Sequence, residues 1–344
     1  MSTRALARAL AHEGVDQVFG RRVQVCVFLA TGAVAAFALF MLTRGTDGGE
    51  QAEAPASMNS FGLPSGARPE GVTTDGAHVW VANLGTDDVT ALDISTGTAQ
   101  QYALQANADP VGIAFDGESV WTANQTMNTV SRIDPETGDR HDFALAYQSS
   151  PTGITFDGTD IWTANTVSDS VSRIDPDSGA RDDYRLAVGA DPRGITFDGT
   201  HVWTANSGTA SVSRIDLSTG EHLDFPLPVG AQPTGIAFDG VNIWTANTGT
   251  SSVSRLNPVS GERRDFALAS DAEPLGIATD ETYVWVANSG TQTVSRFDAT
   301  GARTDFDIGG DDREGGPAWT ASDGTTVWAT DTSDGLLIEF TAGR

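Results

Sequence analysis

The chain has 344 residues, with 46 acidic and 20 basic side chains for a formal net charge of -26, and every basic side chain is an arginine. This balance excludes the nucleic-acid-binding class, which needs a basic footprint, and fits either a protein kept soluble in high salt or the product of a high-GC genome. The 38 glycines fit a turn-rich all-β protein, and a single cysteine, Cys26, excludes an intrachain disulfide.

The N-terminal segment contains an uncharged apolar run at 23–42, which is 20 residues long. At about 1.5 Å per residue, a helix of this length spans about 30 Å, the thickness of a bilayer core. Four arginines precede the run: Arg4, Arg8, Arg21 and Arg22. The positive-inside rule therefore predicts a single-pass membrane anchor with a cytoplasmic tail at 1–22 and an extracytoplasmic domain. A cleaved signal peptide is the alternative, and 43–58 is predicted to be a flexible linker.

From residue 59 onward, one phrase recurs along the chain. The copy that begins at Pro192 reads PRGITFDGTHVWTANSGTASVSRID. Short alternating apolar runs, separated by turn signals such as Asp198-Gly199, predict four antiparallel strands in each copy, called a to d in chain order. One such sheet cannot bury both of its faces alone, so the copies must pack against each other.

The copies are in phase. Each opens with a proline, and these lie at Pro69, Pro110, Pro151, Pro192, Pro233, Pro274 and Pro317. A strand-b tryptophan follows in every copy, at Trp80, Trp121, Trp162, Trp203, Trp244, Trp285 and Trp328. A period of about 40 residues with four strands per copy predicts an all-β, seven-bladed β-propeller over 59–344. A stacked β-solenoid, the alternative, would usually need shorter repeats and caps.

The ends of the domain predict how the ring closes. The last copy has strands a to c and no strand d, whereas the stretch from Phe61 to Pro69 matches Phe225 to Pro233 in spacing and residue type. We therefore expect a strand near 60–63 to complete the last blade. Closure of this kind removes open sheet edges that would otherwise pair with other chains.

Most recurring residues have structural interpretations. The tryptophans are expected to pack between blades, and the aspartates after strand a to shape its turn. The asparagines that end strand b in six copies, such as Asn206, are expected to cap the following turn. The strand-c arginines, such as Arg214, are expected to pair with acidic neighbours.

Departures from the repeat are better candidates for function. The d-to-a and b-to-c loops are expected to share one face of the ring, called the loop face, where propellers usually bind ligands. The residue after each opening proline varies there, and the polar members are Glu70, Thr152, Arg193 and Thr234. The last d-to-a loop is longer than the others and charged, with Asp311, Asp312, Arg313 and Glu314. We take both groups as candidate binding residues.

The words Val79-Trp80-Val81-Ala82-Asn83, with Pro-x-Gly-Ile before and Ser-Val-Ser-Arg-Ile-Asp after them in other copies, resemble the YVTN-type and virginiamycin B lyase-like propellers. The resemblance implies a seven-bladed propeller, often exported or surface-attached. The streptogramin lyase of that superfamily opens a cyclic depsipeptide lactone by elimination. It depends on Mg²⁺, on histidines after the blade-opening proline and on a glutamate that closes strand b. Here no histidine follows an opening proline, and Asp331 alone offers a carboxylate at the end of strand b.

These observations predict a membrane-anchored, exported propeller that acts as a binding or scaffold module rather than an enzyme. We expect no catalytic or metal-binding residue and no cofactor. The partner would be an unidentified protein or small molecule on the loop face, where Asp331 joins the candidate binding residues. One alternative is a lyase or hydrolase whose Mg²⁺ is held by Glu70, Asp331 and the 311–314 loop. Another is a cell-surface structural protein of a salt-loving organism.

Overall fold

The computed structural model describes residues 57–280, 282–309 and 316–341. The predicted cytoplasmic tail at 1–22, the predicted anchor at 23–42 and most of the predicted linker lie outside these residues. Across the described ranges, no helix is long and apolar enough to cross a membrane.

Each blade is a four-stranded antiparallel sheet, because β-branched and apolar residues alternate along the strands between turn residues. Strand β1 (Ser57–Gly62) precedes the first complete blade. Blade 1 comprises β2 (Pro69–Thr74), β3 (His78–Asn83), β4 (Asp88–Asp93) and β5 (Ala99–Ala103), and blade 2 comprises β6 (Pro110–Phe115), β7 (Val120–Asn124), β8 (Thr129–Ile133) and β9 (Arg140–Ala144). Blade 3 comprises β10 (Pro151–Phe156), β11 (Ile161–Asn165), β12 (Ser170–Ile174) and β13 (Arg181–Arg185), and blade 4 comprises β14 (Pro192–Phe197), β15 (His201–Asn206), β16 (Ser211–Asp216) and β17 (His222–Pro226). Blade 5 comprises β18 (Pro233–Phe238), β19 (Ile243–Asn247), β20 (Ser252–Leu256) and β21 (Arg263–Ala267), and blade 6 comprises β22 (Pro274–Thr279), β23 (Val284–Asn288), β24 (Thr293–Phe297) and β25 (Arg303–Asp307). Blade 7 contains β26 (Pro317–Ser322), β27 (Thr326–Asp331) and β28 (Leu336–Thr341).

The prediction of an all-β, seven-bladed propeller is confirmed. Strands a to d lie in chain order within each of the first six sheets, and the a strands of successive blades contact one another around the axis. Blade 7 takes its outer strand from the other end of the domain, so that its order is β1-β28-β27-β26.

Strand β1 is the element that closes this ring. It pairs antiparallel with β28 from Ser57 opposite Thr341 to Gly62 opposite Leu336. The centres of the Phe61 and Trp328 rings are 5.9 Å apart. The strand-d aromatic of another blade packs in the same way against the tryptophan of its own blade, as Phe225 does against Trp203. Because β1 and β28 come from opposite ends of the domain, their hydrogen-bonded pairing joins the first strand of the propeller to the last and closes the ring.

The strand-b tryptophans form the core, as predicted. All seven are at most 1% exposed, and each packs among apolar residues of its own and the next blade. In blade 4, Asp198 Oδ1 accepts the backbone N–H groups of Thr200 and His201, while its Oδ2 accepts the indole N–H of Trp203 at 2.7 Å. The turn aspartate therefore also satisfies a buried donor, a role that the sequence interpretation did not include.

The strand-b asparagines are not turn caps, and that prediction is wrong. In blade 2, Thr122 Oγ1 donates to Asn124 Oδ1 at 2.9 Å, and Asn124 Nδ2 donates to Ser131 Oγ at 2.8 Å. Ser131 Oγ then donates to Asp142 at 2.7 Å, and Arg140 pairs with the same carboxylate at 3.1 Å. The asparagine is buried within the sheet, so its amide links strands b and c instead of reaching the turn backbone.

Three of the strand-c arginines make contacts that the sequence interpretation did not include. Arg132 Nη1 donates to the Pro176 carbonyl of the next blade at 2.9 Å, and its Cζ lies 5.8 Å from the centre of the Trp121 ring. Arg214 and Arg255 make the same two kinds of contact, whereas Arg173 forms the expected ion pair, with Asp160 at 2.8 Å. In these three arginines the guanidinium therefore lies over an aromatic face, a cation–π arrangement, while it donates to a backbone carbonyl of the next blade.

Candidate binding face

In blades 1 to 6, strand a lies too close to strand a of the next blade for a side chain at its third residue, which is a glycine. A Cβ on Gly71 would lie 2.4 Å from the Val111 carbonyl oxygen of the next blade, and the glycines of blades 2 to 5 meet the same obstacle. Blade 7 has Trp319 at this position. Its side chain lines an axial cavity of about 100 Å³ together with strand-a glycines and isoleucines. The tryptophan therefore makes the channel asymmetric.

Glu70 lies beside this tryptophan at the junction of blades 7 and 1. Trp319 Nε1 donates to Glu70 Oε2 at 3.1 Å, and Thr330 Oγ1 donates to the Glu70 carbonyl at 2.8 Å. Burial raises the pKa of the Glu70 carboxyl, and the indole hydrogen bond and the nearby Arg68 charge only partly offset this effect. The side chain therefore already has a partner within the ring.

Asp331 serves as a cap for the b-to-c turn of blade 7. It is 2% exposed, and its Oδ1 accepts the Ser333 N–H at 2.9 Å, the Ser333 hydroxyl at 2.6 Å and the Asp334 N–H at 3.3 Å. Because Asp331 and Glu70 bind different partners, the structure does not join them as a hydrogen-bonded acidic pair in the part of the chain that it describes.

Thr152 and Thr234 are buried and take part in contacts between blades. Thr152 Oγ1 lies 2.9 Å from Thr166 Oγ1 and donates to the Arg193 carbonyl of blade 4 at 2.9 Å. Thr234 Oγ1 similarly lies 2.9 Å from Thr248 Oγ1, which donates to a carbonyl of blade 6. The Thr152 hydroxyl therefore links blades 3 and 4 directly, and the Thr234 hydroxyl contacts blade 6 only through Thr248.

Arg193 is the one post-proline residue with an exposed charged side chain. It lines a groove of about 590 Å³ on the loop face, between the b-to-c loop of blade 4 and the d-to-a loop that follows. Polar Asp191, Ser207 and Gln232 line the groove with apolar Val229. Within the described ranges, the Arg193 guanidinium has no hydrogen-bond or ion-pair partner. The groove volume lies within the usual range for ligand pockets, about 300–1,000 Å³.

The described residues do not fit the Mg²⁺ site that the resemblance implies. In 57–280, 282–309 and 316–341, no three His, Cys, Asp or Glu side chains lie together in a way that would hold a metal ion. Glu70 and Asp331 are bonded to the partners described above. The remaining proposed ligands, Asp311, Asp312 and Glu314, lie outside the described residues, as does Arg313.

Sequence reasoning missed two features of this face. Trp319 is the one tryptophan out of phase with the strand-b series, and it replaces the glycine of the Pro-x-Gly pattern. The other feature is a set of exposed apolar residues at the loop tips, which a sequence comparison of the d-to-a loops would have found. In both cases the signal was a residue that departs from its aligned copies.

The model of the virginiamycin B lyase family matches residues 56–337. Among solved structures, selenomethionine-substituted virginiamycin B lyase from Staphylococcus aureus is 22% identical, with a TM-score of 0.76 over 83% of this chain and 99% of that one. A catalytically inactive variant of that enzyme with quinupristin is 23% identical, with a TM-score of 0.75 over 83% and 99%. Kuenenia stuttgartiensis hydrazine synthase is 18% identical, with a TM-score of 0.67 over 87% and 100%. At these identities the structural likenesses show the fold alone. No curated protein sequence matches the chain.

Proposed function

The chain belongs to the virginiamycin B lyase family, and from that premise we propose that its propeller is an extracytoplasmic, membrane-anchored binding module that uses the loop face. The apolar run at 23–42 and the arginines before it support the anchor and the orientation. The sequence carries the proposal for this part of the chain, which lies outside the described residues.

Arg193 is the observation that carries the binding role. Within the described part of the loop face, the other candidate side chains have partners inside the ring, whereas this guanidinium faces a groove. An exposed arginine in a concave site binds carboxylates and other planar anions well, because its donors form a fork that matches them. The mixture of polar and apolar groove residues is typical of a ligand site.

A ligand screen by thermal shift tests the binding role. The full chain in detergent would be screened with and without small molecules, peptides and divalent cations, and a ligand of the folded ring should raise the melting temperature. Arg193→Gln should abolish the shift of a groove ligand. If no compound shifts the wild type, the binding proposal fails. Protease accessibility in intact cells tests the orientation, because an extracytoplasmic propeller should be digested.

A lyase activity is the second candidate, and family membership is the observation that favours it. It would be tested by incubating the full chain with a cyclic depsipeptide lactone, with and without a chelator, and comparing wild type with Asp331→Ala. Ring opening that chelator and substitution both abolish would support the lyase. Ring opening that is insensitive to both would exclude the metal-dependent form of this proposal.

A further inference from the structure

Exposed apolar side chains project from three successive d-to-a loops. Tyr147, Val188 and Val229 occupy the same position in the loops after blades 2, 3 and 4, and they are 86%, 96% and 99% exposed. The same position holds Ser65, Ala106 and Ser270 in three other loops. Among the six loop tips that the structure describes, the large apolar side chains are therefore confined to one arc of the loop face, which we call the apolar arc.

The apolar arc continues into the neighbouring b-to-c loop of blade 3. Val167 is 61% exposed, and its backbone N–H donates to the Ser149 carbonyl in the loop that carries Tyr147. Exposed apolar residues that are scattered singly are normal on a protein surface, whereas neighbouring exposed apolar residues commonly mark an interaction site. The adjacent tips of the apolar arc are of the second kind.

The Arg193 groove lies within this arc. Val229 lines the groove directly, and Asp191 and Arg193 follow Val188 on the same chain segment. An unpartnered cation thus lies next to apolar tips in a chain whose net charge is -26. The combination suits a ligand that carries a carboxylate and apolar groups together.

We propose that the apolar arc and the Arg193 groove bind an extended peptide segment of a partner protein, with alternating apolar side chains over the tips and a carboxylate on Arg193. This proposal rests on the binding role proposed above and specifies its ligand. Asp191 in the same groove is placed to accept an N–H group of the segment.

Length favours an extended peptide over a small molecule. Sheets that pack face to face lie about 10 Å apart, so three successive tips span about 20 Å, or about six residues of extended chain at about 3.3 Å each. In an extended chain every second side chain points to the same side, about 6.6 Å from the previous one, so that about three side chains of one side would lie along the arc. A single drug-sized ligand would fill the groove but not the arc.

Composition disfavours a lipid surface as the occupant. Peripheral membrane binding combines apolar side chains with clustered lysine or arginine, which attract anionic lipids. This chain has no lysine and is strongly acidic. The apolar arc itself contains Arg193 next to Asp191, a pair with no net charge.

Selection from a random 12-residue peptide library tests the proposal. The full chain in detergent would be the target, with depletion against Val188→Ser/Val229→Ser. We expect enriched peptides to carry an acidic residue among alternating apolar residues, and Arg193→Gln to weaken their binding at least about tenfold. Exposed Val241 and Val259 lie outside the arc, so Val241→Ser/Val259→Ser is the matched control and should leave affinity unchanged.

Three results would overturn the proposal. The first is the absence of any wild-type-specific peptide, and the second is equal binding of the selected peptides to Arg193→Gln. The third is quenching by nitroxide lipids of a fluorophore at Val229→Cys, in a Cys26→Ala full chain in nanodiscs, which would assign the arc to the membrane. If no peptide is selected but another ligand raises the melting temperature of wild type and not of Arg193→Gln, the binding role stands and only the peptide assignment fails.

Discussion

Two buried asparagines lack a hydrogen bond that their counterparts make, and this difference predicts a gain in stability. In blades 2 to 5, a strand-b threonine donates to the asparagine Oδ1 at 2.9–3.0 Å. Blades 1 and 6 have Val81 and Val286 at that position, and the Oδ1 atoms of Asn83 and Asn288 are buried without a hydrogen-bond partner among the described residues. Val81→Thr and Val286→Thr should supply the missing donor.

The expected gain is about 1 kcal/mol per site. An unsatisfied buried acceptor costs about 1–3 kcal/mol, whereas replacing a buried methyl by a hydroxyl forfeits about 0.8 kcal/mol of apolar burial. The balance favours threonine, because the hydroxyl would take the position that Thr122 already occupies in blade 2. The double variant should gain about 2 kcal/mol, since the two sites lie in separate, non-adjacent blades.

Urea denaturation followed by tryptophan fluorescence would measure the effect, as a higher midpoint at an unchanged slope. Val79→Thr is the matched control, because Val79 is also fully buried in strand b of blade 1. This variant should be less stable than wild type, since burying a hydroxyl without a hydrogen bond costs free energy. Thr122→Val should lower the urea midpoint, because it leaves Asn124 Oδ1 of blade 2 without its donor. If Val81→Thr and Val286→Thr lose as much stability as Val79→Thr, the reasoning is refuted.

Four further predictions follow from the fold and its charges. Deletion of 58–66 should remove the cooperative unfolding transition in calorimetry, because the strand that closes blade 7 is lost; an unchanged melting curve would contradict this role. Asp198→Ala should cost about 2–4 kcal/mol in urea denaturation, since it removes a turn acceptor and leaves the Trp203 indole N–H unsatisfied; a cost below 0.5 kcal/mol, on the order of experimental error, would count against it. Because burial raises the pKa of Glu70, the folded state favours the neutral acid, and its contribution to stability is present below the ordinary value of 4.5 and lost as pH rises through the raised pKa. Glu70→Gln should therefore gain stability over wild type as pH rises from 4 to 7, whereas a pH-independent difference would show that ionisation of Glu70 is not involved. The structural-protein alternative predicts unfolding at low salt, which full stability in dilute buffer would exclude.

The repeat made most of the fold predictable from sequence. Proline, tryptophan and Asp-Gly recur at fixed offsets. The proline marks the start of a strand, the tryptophan a buried core side chain and Asp-Gly a turn. Phe61 indicated the closing strand for the same reason, because it has the spacing of a strand-d aromatic. Such inferences need only the order of residues along a strand and the pairing of neighbouring strands.

The roles of buried polar side chains were less predictable. An asparagine at a strand end has the same local sequence whether its amide caps the turn or points into the sheet, and packing against strand c decides between these. Asp331 occupies the equivalent position and does cap its turn, because strand c of blade 7 offers Ile338 where blade 2 offers the hydroxyl of Ser131. Thr152 and Thr234 were candidate ligand residues for a similar reason: their partners belong to adjacent blades and cannot be read from one repeat.

The distribution of engaged and exposed groups supports the proposal that ligands bind on one arc of a nearly symmetric ring. Where a blade follows the repeat, its polar side chains are satisfied by other members of the same network, which leaves few donors for a ligand. At the junction of blades 7 and 1, the Trp319 indole N–H donates to the Glu70 carboxylate, so these two departures from the repeat bond to each other within the ring. Among the departures that lie in the described residues, Arg193 is the one whose charged group is exposed, and the apolar tips flank it on both sides. A ligand that gains from both features can bind in one orientation and at one place, although the scaffold repeats its backbone seven times.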